Sequence, residues 1–120
     1  MPTDPPRPSV LAVPGRVPVL FAGAVRAGRE AVAALDDGRD AEAAARVARV
    51  QAILAQLAPA LGGESEALAR HLDAIHDYLG RRLSSPAVGR DGMLQVIADI
   101  ETIAAGWATL SRRTVAAPAT

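Results

Sequence analysis

Apolar residues recur at steps of three and four in four separate stretches of this chain, and the breaks between them coincide with turn chemistry. From Val17, the positions Leu20, Phe21, Ala24, Val25, Gly28, Ala31, Val32 and Leu35 fall on one helix face, with Arg26, Arg29 and Glu30 off it. Pro18 suits a first turn, where its missing N–H has no intrahelical partner to lose. Asp36-Asp37-Gly38 then supplies a stop. The second stripe is Ala43, Val47, Val50, Leu54, Leu57 and Leu61, widened by Ile53, with Asp40 as the expected N-cap. Glu42 and Arg46 are spaced to pair one turn apart, and Pro59 and then Gly62-Gly63 are expected to end the helix with a kinked last turn. Ser65 is the expected cap of a third helix with the stripe Leu68, Leu72, Ile75, Leu79 and Leu83, stopped by Ser84-Ser85-Pro86. Gly80 inside it costs about 1 kcal/mol against Ala, so it is either tolerated or placed at a close approach. The fourth helix is expected to begin near Asp91. Its seam is Met93, Val96, Ile100, Ile103, Trp107 and Leu110, with Ile97 and Ala104 alongside.

Short connections between four amphipathic helices favour antiparallel neighbours. The expected fold is all-α, an up-down-up-down four-helix bundle about 30 Å long. Residues 1–15 carry five prolines and cannot form regular helix, so they read as a flexible Pro-rich arm. The bundle is expected over 16–113, with 114–120 as a frayed tail.

Composition sharpens the class. Half of the residues are apolar, but many are Ala, and there is one Phe, one Tyr and one Trp, which favours helices over strands. The 13 basic residues, all Arg, balance 13 acidic ones, and that argues against a nucleic-acid or membrane-surface role. No apolar run approaches the ~20 residues of a membrane span. With no Cys there is neither a disulfide nor a thiolate site, which is compatible with a reducing cytoplasm. The N-terminal stretch is a poor signal peptide, because Pro14, Arg16 and Pro18 interrupt its apolar part.

Candidate chemistry is sparse. His71 and His76 are five residues apart and so point to different faces, and Asp73-x-x-His76 resembles a di-metal bundle motif only once. Asp73 and Asp77 fit better as residues that solvate the helix and pair with neighbours. Ser65, Ser84, Ser85 and Ser111 sit at helix ends as caps, and Gly62-Gly63 lacks a phosphate-loop Lys. No catalytic residue, metal or cofactor is expected.

The order of polar residues in the third helix carries more information. Leu72-Asp73-Ala74-Ile75-His76-Asp77-Tyr78-Leu79-Gly80-Arg81-Arg82-Leu83 is similar to the signature helix of the FliS family of flagellin export chaperones. There a Leu, a short step, Leu-Tyr-Asp-Tyr and Arg-Arg-Leu follow one another. Arg49 to Leu57, Gly62-Gly63-Glu64, Leu20-Phe21-Ala22-Gly23-Ala24 and Trp107 resemble further family features in the same order. His76 stands where a Tyr is usual and Ala22 where an Asp is usual.

The resemblance implies a cytoplasmic, non-enzymatic export chaperone. Its client would be the C-terminal segment of flagellin, protected from premature polymerisation and delivered to the flagellar type III export apparatus through contact with an export gate component. The alternative is a FliS-like bundle adaptor for a different protein partner. The chain is expected to be a monomer or weak homodimer, with no nucleic acid and no membrane insertion. The expected client contacts are Phe21 and Val25, Ile53 and Leu57, and Ile75, His76 and Tyr78. Ile53, His76 and Tyr78 lie at the margins of their stripes, whereas for Phe21, Leu57 and Ile75 a plain core role stands as the alternative. Trp107 is expected to anchor the core, and the arm to act as an extended strap over the client site.

Overall fold

The computed structural model describes residues 16–62, 65–83 and 89–116. The Pro-rich arm, the loop after Leu83, the second glycine of the Gly62-Gly63 pair and residues 117–120 of the expected tail lie outside the described residues. Four helices account for nearly all of the rest: α1 (Arg16–Asp36), α2 (Asp40–Gly62), α3 (Glu66–Leu83) and α4 (Arg90–Ala116). The described residues contain no strand.

The α1–α2 connection is tighter than the N-cap reading of Asp40 allows. Gly38 adopts φ +72°, a backbone region that costs glycine nothing. The Gly38 N–H donates to the Leu35 carbonyl at 3.1 Å and the Arg39 N–H to the Ala34 carbonyl at 2.8 Å, the paired bonds of a Schellman cap. The Arg39 carbonyl already accepts from the Ala43 N–H at 2.9 Å, so Arg39 is the N-cap of α2 and Asp40 its first residue. Arg39 therefore ends one helix and starts the next, and its guanidinium bridges Asp37 and Glu42. Asp40 and Glu42 keep a useful place in the first turn, where the helix dipole favours negative charge.

Ser65 caps α3 as its sequence suggests: its Oγ accepts from the Leu68 N–H at 3.2 Å, a bond of a kind that stabilises a helix by about 1 kcal/mol. α4 starts one residue before Asp91, with the Gly89 carbonyl accepting from the Met93 N–H. It continues to Ala116, three residues beyond Arg113. α2 ends at Gly62, the first of the two glycines expected to stop it, with Pro59 inside its last turn, where it has no N–H to offer the Ala55 carbonyl.

The helices pack in the cyclic order α1-α2-α3-α4, with α1 opposite α3 and α2 opposite α4. Cross-links give the directions. Asp36 at the end of α1 accepts from Arg90 Nε at the start of α4 (2.9 Å), while Phe21 near the start of α1 meets Trp107 near the end of α4. α1 is likewise antiparallel to α2, with Gly23 beside Ile53 and Glu30 3.7 Å from Arg46. The expected up-down-up-down bundle is the observed one.

Every member of the α2 stripe is buried, as are Leu72, Ile75 and Leu79 of α3 and Met93, Val96, Ile97, Ile100 and Ile103 of α4. Among the described residues no polar or charged side chain is buried, so no internal polar network is needed. Ala27 and Ala34 are buried as well, although neither lies on the α1 stripe given by the sequence.

The closing of the ring is uneven. α3 and α4 pack against each other far less extensively than the other neighbouring pairs. α1 and α4, by contrast, are drawn together at Gly28, where an added Cβ would lie 2.8 Å from Ile97 Cγ1 and 3.2 Å from its Cδ1. Gly28→Ala is expected to destabilise the bundle by about 1–2 kcal/mol, because overpacking outweighs the gain in helix propensity. Gly106→Ala is expected to do the opposite, by about 0.5–1 kcal/mol, since its Cβ would rest 3.5 Å from Leu68 Cδ2, an ordinary contact. Urea unfolding of the two variants should move the midpoint in opposite directions. Gly80 also sits at a close approach, with its Cβ position 2.9 Å from Gln51 Nε2.

Candidate partner-binding grooves

Small residues on the flanks of the buried stripes leave open grooves between helices where larger side chains would have filled them. Along α1 and α4 a groove of about 660 Å³ has an apolar floor of Phe21, Ala22, Val25, Ala33 and Ala104. Arg26, Arg29, Glu30 and Glu101 complete its lining. Arg29 Nη2 donates to Glu101 Oε2 at 3.0 Å across it. Both side chains are half or more exposed (66% and 50%), so the pair adds at most about 1 kcal/mol and can open readily.

The thinly packed α3/α4 seam carries two adjoining clefts of about 340 and 410 Å³. Ala74, Ile75 and Asp99 line both. His71, Thr102 and Ile103 complete the first, and Tyr78, Gly92, Gln95 and Val96 complete the second. Ala74 and Gly92, with little or no side chain, form part of these walls. A fourth, more polar hollow of about 340 Å³ lies between α2 and α3, lined by Gln51, His76, Asp77, Gly80 and Arg81.

The structure thus distributes the sequence-expected contacts over several surfaces. Phe21 and Val25 line the α1/α4 groove, Ile75 and Tyr78 the α3/α4 seam, and His76 the polar α2/α3 hollow. Ile53 (4% exposed) and Leu57 (0%) are enclosed between the helices and line none of these grooves. Ile75 belongs to both worlds, being 9% exposed yet part of both seam clefts. Sequence reading misses the contribution of α4, which borders the α1/α4 groove through Glu101 and Ala104 and the seam through Gln95, Val96, Asp99 and Thr102. Ala104 and Gly92, small residues beside the fourth stripe, are the signal that could have found it.

Phe21 is fixed from behind by Trp107, with ring centroids 6.4 Å apart and planes inclined by 46°. Trp107 is partly buried against the core, and its Nε1 is buried without an acceptor. His76 Nδ1 is 3.9 Å from Asp77 Oδ1, too far for a hydrogen bond. Among the described residues no three His, Cys, Asp or Glu side chains are grouped to hold a metal ion. No described helix is long and apolar enough to cross a membrane. The geometry offers open, mostly apolar grooves, surfaces of the kind on which a helix or an extended segment can lie.

The chain matches the family described as flagellar protein FliS over residues 14–114. The chain belongs to the FliS family. FliS proteins are flagellar export chaperones, not enzymes. The matched range takes in α1, α2 and α3 whole and α4 to within two residues of its end. No curated protein and no solved structure matches the chain. The helical signature from Leu72 to Leu83, which carries the family resemblance in sequence, lies in the FliS helix that supplies one wall of the seam.

Proposed function

We propose that this FliS-family chain is a cytoplasmic chaperone for the C-terminal segment of flagellin. It holds that segment in its interhelical grooves, prevents premature polymerisation, and hands the client to the export apparatus by contacting a gate component. The observation that carries the reading is the pair of open apolar grooves on either side of α4, in a chain of a flagellar chaperone family. A client that is disordered when free loses about 2–5 kcal/mol on being ordered, so a long contact spread over shallow surfaces suits it better than a single pocket. Grooves of this kind are matched to an amphipathic helix whose apolar positions repeat at i, i+3 and i+4.

The test is titration of the full chain with the C-terminal segment of flagellin from the same organism. Trp107, the only Trp in the chain, touches a groove residue and reports occupancy directly. Saturable binding in the micromolar range or tighter, with a change in Trp107 emission, is the expected result. A flat titration at those concentrations rejects flagellin as the client and leaves a bundle adaptor for another protein.

A further inference from the structure

Asp99 stands where the two clefts of the α3/α4 seam adjoin, facing Ala74 and Ile75 of α3. It is the only Asp, Glu, Lys or Arg in the lining of either cleft; the other titratable side chains there are His71 in the first and Tyr78 in the second. Its Oδ1 accepts a hydrogen bond from Gln95 Nε2 at 2.9 Å, one turn back on α4. None of the ion pairs Arg29–Glu101, Arg39–Asp37, Arg39–Glu42, Arg46–Glu30, Arg46–Glu42, His76–Asp77 and Arg90–Asp36 involves Asp99. A neutral amide donor orients the carboxylate but leaves its charge uncompensated. The α1/α4 groove differs in this respect, because Arg29 and Glu101 neutralise each other across it.

In the open seam, water solvates Asp99. When an apolar segment covers the seam that water leaves, and a carboxylate flanked by Ile75, Val96 and Ile103 must then meet a cation or be buried unpaired, which is strongly unfavourable. We infer that Asp99 sets the specificity of the seam for a client helix that carries a Lys or Arg within its apolar face. Apolar residues one turn before and one turn after that cation enter the two clefts. The cation pairs with the carboxylate between them, in a charge-assisted bond. The inference rests on the client reading above and adds to it a sequence requirement on the client. An amphipathic helix whose apolar face carries no cation is a poor fit to this seam, and one with Asp or Glu at the central position is excluded by like-charge repulsion.

The experiment uses the full chain with Asp99→Asn and Asp99→Arg, each shown to melt cooperatively by circular dichroism. Both are titrated with the flagellin C-terminal segment at low and high salt. In parallel, each Lys and Arg of the segment is replaced singly by Glu and titrated against the wild-type chain and Asp99→Arg. Asp99→Asn is expected to weaken binding about tenfold and to flatten its salt dependence, and Asp99→Arg to weaken it further. One client charge reversal should lose affinity for the wild-type chain and regain it with Asp99→Arg. Wild-type binding that Asp99→Arg leaves undiminished, with no reversal rescued, overturns the role of Asp99 while the client reading stands. A wild-type chain that does not bind the segment overturns the client reading and this inference with it. Should sedimentation show that Asp99→Arg abolishes self-association of the wild-type chain and leaves client affinity intact, the seam takes a second copy and the inference falls.

Discussion

Replacing Phe21 by alanine is expected to lower the stability of the bundle by about 3–5 kcal/mol and to weaken client binding by the molecules that remain folded. Phe21 is 4% exposed, packs against Trp107, and forms part of the α1/α4 groove floor. Its ring thus closes the core from outside and supplies groove surface at the same time. Removing the ring leaves a void beside Trp107, and the close approach of α1 to α4 at Gly28 keeps the helix backbones from closing it. Urea unfolding followed by Trp107 emission reads the stability loss, and titration at a temperature below the lowered midpoint reads the affinity. Phe21→Leu, which keeps apolar volume but not the ring face, should recover much of the stability. A Phe21→Ala chain that unfolds early but binds with unaltered affinity would assign Phe21 to the core alone.

Leu57→Ala is expected to cost about 2–5 kcal/mol and to leave the affinity of folded molecules unchanged. Leu57 has no exposed surface and lines none of the grooves, so its whole contribution is to apolar burial and to contacts within the bundle. The spread depends on how far neighbouring side chains relax into the space. Leu54 and Leu61, one turn away on either side, are equally enclosed and have little room to move. The two variants should therefore separate on one plot of midpoint against dissociation constant. Both shift the midpoint, and only Phe21→Ala shifts the constant. Loss of affinity in Leu57→Ala without loss of stability would show that Leu57 reaches the client after all.

The four helices and most of the core are legible from side-chain periodicity, because Leu, Ile and Val recurring at steps of three and four mark a buried helix face strongly. Ala27 and Ala34 are not. A methyl group marks a helix face weakly, yet its small size lets α1 lie close to its neighbours. The N-cap of α2 is displaced by one residue because Arg39, a poor capping side chain, is placed by the Schellman cap before it and not by its own chemistry. The end of α2 is legible too: Pro59 lies in the last turn and the helix ends at Gly62, since the packed face of a helix can hold one turn together where a single backbone bond is missing.

The grooves are harder to foresee. Stripe margins locate Tyr78 and His76 correctly at partial exposure, but the same reasoning places Ile53 at a margin where the structure encloses it. Which pair of helices stays apart is decided by the sum of small residues on both walls, and a single helix cannot reveal its partner's wall. Asp99 illustrates the point. On α4 alone it is an ordinary polar residue beside the seam, and only the facing Ala74 and Ile75 make it the one carboxylate at the meeting of two clefts.

The position of α4, with a groove on each flank, has a consequence for how a bound chain is let go. A segment long enough to engage both flanks is held by two contacts joined through itself, so when one end detaches its effective concentration near the vacated groove stays high and rebinding outruns escape. Retention can then be strong although each contact is weak. The same arrangement allows unzipping from one end, since a pull on the client breaks the contacts in sequence and never both at once. Such a grip is tight against diffusion and yields to a directional force, the combination that unidirectional transport of a cargo requires.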